Sequence, residues 1–413
     1  MAFTIGYTKE ERLRLADTAM AEFKRVWGRY PKSVASWNLD SITMAHLAER
    51  YGIDAYAVCR DQIATDGFTI WGAPIAGYYP SKANCWSPAL SRSEQIGTPV
   101  FRMLGQDPVY YYDRGYHLPD GRWVGEPDTM EPVWTSGRSS LFVERFLGMI
   151  SDAPTGAFAY AQMGQENTFP WDQQAEAYPK QMAALAALRA SGKVSVETMG
   201  ASGRRFKKAF RSTPVQAQVQ LEDPFGNTKP AEGSVWYQSR FYRADLHLKG
   251  DLFYLRDVTV YSDRFDQPFL NGPTRLTEVE QKLPAVVDGY HWKGKELCGG
   301  FFEVGGERLR LAGKPTVREE GSRLVLHLPV GGGRILTLTF EERGIAVRCS
   351  SGAVTLAFEW DPAKAPAVAV SGGRVGYRWQ GFDYAVKVDS EARATANGWS
   401  AAGIKRLELA QAR

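Results

Sequence analysis

The stretch at residues 156–172, GAFAYAQMGQENTFPWD, decides how the rest of the chain is interpreted. Residues 157–163 are small, apolar or aromatic, a composition typical of a strand buried on both faces of a parallel sheet. Glu166 follows this run within a few residues. Because active sites of β/α barrels lie at the carboxyl ends of the strands, Glu166 stands where a catalytic carboxylate is expected. Two other interpretations stay open, in which Glu166 caps the following helix or pairs with a nearby arginine.

Aromatic residues beside this carboxylate predict a sugar subsite. Aromatic faces stack on the apolar faces of pyranose rings, while acids and amides bind hydroxyl groups. The chain has 12 Trp, 19 Tyr and 20 Phe, many of them near glycine or proline, as in the segment at residues 65–89. The candidate sugar platforms, each of which could instead be a core residue, are Trp37, Trp71, Trp86 and Trp171.

On either side of this stretch, the first half of the chain alternates between strand and helix patterns. Residues 8–27 begin with Thr8 and carry Glu11 three positions later, a capping box that predicts an opening helix. Five strands are predicted, at residues 33–37, 55–62, 99–107, 157–163 and 194–198. Each ends in or near an acid, and these acids are Asp40, Asp61, Asp107, Glu166 and Glu197. We expect Asp40 to cap a helix, because that helix begins at the next residue.

This alternation predicts an α/β fold, a (β/α) barrel of about seven strands over residues 1–225. Only five strands are visible, and the chain opens on a helix, so we expect the amino-terminal side of the barrel to be incomplete. From about residue 224 the pattern changes to short alternating runs separated by turns. Residues 226–413 are therefore predicted to form an all-β domain, an antiparallel β-sandwich.

A family resemblance rests on residues 30–71, YPKSVASWNLDSITMAHLAERYGIDAYAVCRDQIATDGFTIW. This run resembles the later half of the polysaccharide-deacetylase and related glycosidase barrel. Together with FRMLGQDPVYYYD at residues 101–113, it is similar to an uncharacterised bacterial family of barrel-plus-β-sandwich proteins grouped with carbohydrate-active enzymes. The resemblance implies a carbohydrate substrate.

The chain departs from the metal-dependent deacetylases, which carry an Asp-Asp pair and an H-x3-H pair. None of its five histidines is paired at that spacing. The sequence therefore predicts no metal site and no cofactor.

Composition narrows the choice of partners. The net charge is only +4, and the one basic run, between Arg204 and Arg211, is typical of a solvated helix face, so no nucleic-acid partner is expected. No run approaches the roughly 20 apolar residues of a membrane span. Charges at residues 9–12 interrupt any signal peptide, which indicates a cytoplasmic protein if the chain is complete and leaves its location open otherwise. The four cysteines lack metal-ligand spacing and are expected to be free thiols.

Hydrolysis of a glycosidic bond needs two carboxyl groups roughly 5 to 10 Å apart. Our first candidate pair is Glu166 with Asp61 opposite, and Asp107 is the reserve. Arg60 and Arg102 lie at strand ends, where they could bind an acidic sugar or keep a neighbouring acid ionised. The leading hypothesis is a glycoside hydrolase acting on a poly- or oligosaccharide. The alternatives are a metal-dependent carbohydrate deacetylase that lacks its first strands, and a non-catalytic carbohydrate-binding protein.

Overall fold

The computed structural model describes residues 4–65, 67–103, 105, 107–114, 116–117, 123–124, 129–164, 168–226 and 231–411. Within these ranges no helix has the length and apolar character that crossing a bilayer requires. The helices are α1 (Lys9–Trp27), α2 (Ser41–Tyr51), α3 (Pro108–Arg114), α4 (Thr135–Arg138), α5 (Ser140–Ser151), α6 (Trp171–Gln174), α7 (Tyr178–Ala190) and α8 (Met199–Ala209), preceded by a 3-10 turn at Thr4–Gly6.

The strands of the first half are short. They are β1 (Ser33–Ala35), β2 (Ala55–Val58), β3 (Gln62–Thr65), β4 (Phe68–Trp71), β5 (Gly77–Tyr78), β6 (Val100–Arg102), β7 (Tyr116–His117), β8 (Trp123–Val124) and β9 (Gln216–Gln220). Strands β1, β2 and β6 form a parallel sheet, and β5 adds to β6 in the antiparallel sense. Every residue of β2 is buried, which explains its uninterrupted apolar sequence.

The opening helices confirm the sequence prediction. Helix α1 begins with the predicted capping box, in which Thr8 and Glu11 each accept a hydrogen bond from the other's backbone amide. Helix α2 is capped by Asp40, whose Oδ1 accepts from the Thr43 amide at 2.8 Å. Both helices end at glycines in the left-handed conformation, Gly28 and Gly52.

The expected barrel of about seven parallel strands is not seen in the described residues, where β1, β2 and β6 are the strands of the parallel sheet. Residues 157–163 and 194–198 form no strand. The first of these segments does lie beside β6, where the rings of Phe158 and Tyr160 stack on Phe101 at centroid distances of 5.7 and 4.6 Å. The apolar composition of residues 157–163 is therefore explained by this packing of rings. A strand would also need backbone hydrogen bonds to a neighbouring strand.

The second half is built from strands. They are β10 (Glu232–Gln238), β11 (Tyr242–Lys249), β12 (Leu252–Val260), β13 (Val279–Lys282), β14 (Ala285–Asp288), β15 (Gly299–Val304), β16 (Glu307–Arg308), β17 (Thr316–Glu320), β18 (Arg323–Val330), β19 (Arg334–Glu341), β20 (Gly344–Cys349), β21 (Val354–Glu359), β22 (Val368–Ser371), β23 (Arg374–Trp379), β24 (Phe382–Val388), β25 (Ala392–Thr395), β26 (Gly398–Ala402) and β27 (Arg406–Glu408).

These strands form two large antiparallel sheets. One runs in the order β25-β26-β21-β15-β12-β11-β10-β9, with β14 and β16 at its side, and the other in the order β17-β18-β19-β20-β27-β24-β23-β22. A single hydrophobic core contains residues of both sheets, among them Leu246 and Phe302 from the first and Leu338 and Val386 from the second. The protein is thus a mixed α/β structure in which large antiparallel sheets predominate.

The first antiparallel sheet has two different faces. On β11, Ala244, Leu246 and Leu248 belong to the core shared by the two sheets. The alternate residues Arg243, Asp245 and His247 are also buried, although they point to the opposite face. The α/β part of the chain covers that polar face, as shown by hydrogen bonds from side chains of the sheet to Ala73, Gly77 and Gly105.

Two strand pairings join the halves of the chain. Strand β9 pairs with β10 across the boundary predicted at residues 225 and 226, and β4 pairs with β13 in the parallel sense. The division into domains at 1–225 and 226–413 stays a prediction. The two strand pairings show where the halves meet, but they do not test whether each half folds independently.

Candidate functional site

The candidate site lies where the ends of β2 and β6 meet the polar face of β11. Asp61 follows β2 after two residues, and Arg102 is the last residue of β6. Arg102 donates to Oδ1 of Asp61 at 2.8 Å, and Nη1 of Arg243 lies 2.7 Å from Oδ2. The Gly72 amide donates to the same Oδ2 at 2.9 Å. Asp61 is therefore held by two arginines that come from different halves of the chain.

The two arginines determine the charge of Asp61. Burial on its own would raise the pKa of this carboxyl, but the neighbouring charges of Arg243 and Arg102 outweigh burial, so the pKa lies below its ordinary value. The carboxylate consequently stays ionised at neutral pH, in a place where an unpaired charge would be costly.

Arg243 extends this network toward β12. It also contacts Asp257, with an Nη2 to Oδ1 distance of 3.2 Å, and the indole Nε1 of Trp71 donates to the other oxygen of Asp257 at 2.8 Å. The ring of Trp236 lies against the Arg243 guanidinium, 4.8 Å from centroid to Cζ. We call Asp61, Arg102, Arg243 and Asp257 the arginine network.

A second buried group lies beside the arginine network. Ligand atoms of Asp107, Asp245 and His247 all lie within 4.8 Å of one another. Nδ1 of His247 is 3.6 Å from Oδ2 of Asp107, and Nε2 is 3.5 Å from Glu232 and 3.1 Å from Arg256. The exposed fractions of Asp107, Asp245 and His247 are 1%, 0% and 0%. We call these three residues the Asp-Asp-His cluster.

Charges in the Asp-Asp-His cluster influence one another. Burial raises the pKa of Asp245 well above its ordinary value, and the nearby carboxyl of Asp107 raises it further. Burial alone would lower the pKa of His247, but the neighbouring carboxyl groups of Asp107 and Glu232 make the net shift upward. Glu232 is itself paired with Lys249, Oε1 to Nζ, at 2.8 Å.

A small cavity opens beside the arginine network. Its volume is about 30 Å³, and its lining includes Arg60, Asp61, Gly105, Pro108 and Trp236. Gly105 and Pro108 flank Asp107 in the sequence, so the cavity reaches the chain segment that carries it. A space of this size holds one or two water molecules and not a sugar ring.

The structure brings some of the predicted site residues together. Asp61, Asp107 and Arg102 are in the site, and Arg60 lines the cavity with its guanidinium 4.8 Å from the centre of the Tyr111 ring. Glu166, the first candidate for catalysis, lies outside the described residues. Glu197 lies elsewhere, near Arg205 at 3.3 Å.

The four tryptophans predicted as sugar platforms lie in different environments. Trp86 and Trp71 are 1% and 2% exposed, so their ring faces are covered by protein and not available to a sugar in this state. Trp37 packs partly buried against the core of the α/β part. Trp171 is 62% exposed on the short helix α6, where its edge meets Tyr178. Two of the four contact the arginine network: Trp71 donates to Asp257, and the Arg102 guanidinium lies over the Trp86 ring, 5.7 Å from Cζ to the ring centroid.

Sequence reasoning missed the contribution of β11 and β12. The alternation Arg243, Asp245, His247 is visible in the sequence, but it is equally typical of a strand with one face in water. Only the fold shows that the α/β part covers this face. The residue types did contain a signal for a polar site, because three different ionisable side chains alternate with apolar ones on this single strand.

Comparison with known proteins yields no family model and no curated protein that matches the chain. A crystal structure from Parabacteroides distasonis, provisionally named a glycoside hydrolase/deacetylase, matches at 16% identity over 68% of each chain with a TM-score of 0.54. The likeness is one of fold. A structure of the YidC insertase matches 43% of this chain and 38% of its own at 12% identity, and its TM-score of 0.27 supports no inference.

Proposed function

We propose that the protein is a carbohydrate-active hydrolase, a glycoside hydrolase that reacts at the ends of β2 and β6. The observation that carries the proposal is that Asp61 and Asp107 follow adjacent parallel strands, and that Asp61 lines a cavity together with three arginines and Trp236. Gly105 and Pro108, from the segment that carries Asp107, line the same cavity. Active sites of α/β folds lie at this end of parallel strands. The structural neighbour named glycoside hydrolase/deacetylase supports the same class of substrate.

In this proposal the two carboxyl groups have different roles. Asp61 is kept ionised by Arg102 and Arg243, so it suits the base or the stabiliser of a positively charged transition state. Glu166 is the proposed acid or nucleophile, with Asp107 as the reserve. Because the cavity is too small for a sugar ring, substrate binding requires the segments above Asp61 to move apart.

The test is hydrolysis of a panel of oligosaccharides by the wild type and by Glu166→Gln. We expect the variant to lose about 100-fold or more in kcat while it still binds the sugar, since a positioned acid or base contributes roughly that much. Glu176→Gln, an exposed acid paired with Lys180, is the matched control and should keep wild-type activity. Full activity in Glu166→Gln removes Glu166 from the mechanism, and sugar binding without turnover by the wild type selects the non-catalytic alternative.

A specific observation favours a second candidate, carbohydrate deacetylation. The Asp-Asp-His cluster offers two carboxylates and an imidazole, side chains that hold the metal in many hydrolases. Release of acetate from an acetylated oligosaccharide, abolished by a chelator and restored by added metal, would select this candidate. The glycosidic bonds of the same oligosaccharide would then remain intact.

A further inference from the structure

The Asp-Asp-His cluster points to a ligand. We infer that Asp107, Asp245 and His247 form a binding site for a first-row divalent cation, of which Zn²⁺ and Mn²⁺ are the best candidates. This inference goes beyond the proposed function, because it concerns the cluster itself and holds for either substrate chemistry. The three residues come from the loop after β6 and from alternate positions of β11, so the fold creates a constellation that no sequence spacing reveals.

The burial of Asp245 distinguishes this site from an ordinary group of surface acids. It is 0% exposed, and neither of its carboxylate oxygens accepts a hydrogen bond from any described residue. Its near neighbour is the carboxyl group of Asp107. Buried polar atoms normally have a partner, and a cation held between Asp107, Asp245 and His247 would supply one to both oxygens of Asp245.

The spacing of the ligand atoms suits a small cation. Donor atoms about 2.0 to 2.2 Å from a zinc ion lie roughly 3 to 4 Å from one another. In the cluster the three ligand atoms lie within 4.8 Å, and the His247 Nδ1 to Asp107 Oδ2 distance is 3.6 Å. Closing the widest separation by about 1 Å would therefore complete the coordination.

Surrounding residues orient the histidine. With Nδ1 on the metal, Nε2 carries the proton and faces Glu232, 3.5 Å away. A carboxylate behind a ligating histidine is the usual outer-shell arrangement at protein metal sites. Arg256, now 3.1 Å from Nε2, would turn from the nitrogen to a carboxylate.

The ligand types select among cations. Ca²⁺ takes six to eight oxygen ligands, more than the cluster offers, and an imidazole is uncommon among them. Two carboxylates and an imidazole suit Zn²⁺ or Mn²⁺ and leave a coordination position for water. The cavity of about 30 Å³, lined by Gly105 and Pro108 of the segment that carries Asp107, has room for that water.

Metal retention by the whole, untagged chain tests the inference. The protein is dialysed with Zn²⁺ or Mn²⁺, freed of excess metal, and analysed by mass spectrometry of the elements, with Ca²⁺ as the comparison ion. We expect about one Zn²⁺ or Mn²⁺ per chain and no retained Ca²⁺. Asp245→Asn and His247→Gln should retain at least tenfold less, since even loss of an outer-shell partner costs about 10- to 100-fold in affinity.

His291→Gln is the matched control, because His291 also faces a carboxylate, with Nδ1 2.7 Å from Asp288, but lies outside the cluster. It should retain metal as the wild type does. Equal retention by Asp245→Asn and the wild type, or less than a tenth of an equivalent in the wild type, would overturn the inference.

A second measurement covers variants that fail to fold. X-ray absorption of the zinc-loaded wild type should show only nitrogen and oxygen ligands with one imidazole, whereas sulfur in the first shell would assign the metal to a cysteine and overturn the site. Neither measurement uses a substrate. Metal retention without hydrolysis would therefore count against the proposed function alone, and hydrolysis by a protein that never takes up metal would count against this site alone.

Discussion

Arg243 is the residue on which the buried charges of the α/β part and of the first antiparallel sheet converge. It contacts both Asp61 and Asp257 and donates to the carbonyl of Ala73 at 2.6 Å, all without exposure to water. A buried ion pair adds little net stability when it is intact, because desolvation offsets the attraction. Breaking one is costly, since the partner is left charged and buried.

We therefore expect Arg243→Met to lower the free energy of unfolding by about 3 to 5 kcal/mol. Urea denaturation followed by circular dichroism measures this loss. Arg204→Met is the control, because Arg204 pairs with Asp54 at 2.8 Å but its side chain is 57% exposed. It should cost less than about 1 kcal/mol. Similar losses in both variants would show that the arginine network has no special role.

A pH dependence follows from Asp61. Burial opposes its ionisation, yet Arg243 and Arg102 hold its pKa in the folded protein below the unfolded value of about 3.9. The ionised carboxylate thus contributes stability above about pH 4, and this contribution disappears as the pH falls through the lower folded-state pKa. The stability difference between the wild type and Asp61→Asn should be largest near neutral pH and should shrink below pH 4. A difference that grows on acidification would contradict this assignment.

At the scale of elements, α8 packs directly on the first residues of β2. Gly203 makes this contact possible, because a Cβ at that position would lie 2.1 Å from the carbonyl oxygen of Asp54. Asp54 also pairs with Arg204 and Lys207 of the same helix, each at 2.8 Å. The glycine and the ion pairs together fix the position of α8 against the parallel sheet.

Gly203→Ala should destabilise the protein by about 1 to 3 kcal/mol, the usual cost of overpacking. Gly148→Ala in α5 is the matched helical control, since no atom lies within 4 Å of its added Cβ. That variant should be neutral or more stable by up to about 1 kcal/mol, because alanine favours helix more than glycine does. Thermal unfolding of the two variants distinguishes them, and an equal effect would show that helix propensity decides both.

The sequence predicts these elements to the extent that their signals are local. The cap of α1 at Thr8 is predicted directly from neighbouring residues and is confirmed, and the glycine that ends the helix is an equally local signal. The run at residues 157–163 is different, because a strand depends on a backbone partner far away in the chain. In the site, Asp61 and Asp107 were predicted from their positions after buried strands. Asp245 and His247 were missed, since their burial depends on the α/β part that covers β11.

For the whole molecule, we predict a single cooperative unit, because strand pairing and buried ion pairs both join the two halves. Strand β4 pairs with β13, β9 pairs with β10, and the arginine network joins Asp61 to Arg243. We expect one transition in calorimetry, with equal calorimetric and van't Hoff enthalpies. Residues 1–225 and 226–413 expressed separately should each lack a cooperative transition. Two transitions in the full chain, or a stable isolated half, would instead support independent domains.

The polar face of β11 also affects how the protein can be made in a cell. Synthesis delivers Asp61 and Arg102, which pair with each other, before Arg243 leaves the ribosome, so Oδ2 of Asp61 lacks its arginine partner until β11 is made. We therefore expect the amino-terminal half to stay partly open until the central strands of the first antiparallel sheet have been made. Chaperones that shield exposed chain would act chiefly during this interval, and a pause in translation before β11 should increase the fraction that aggregates.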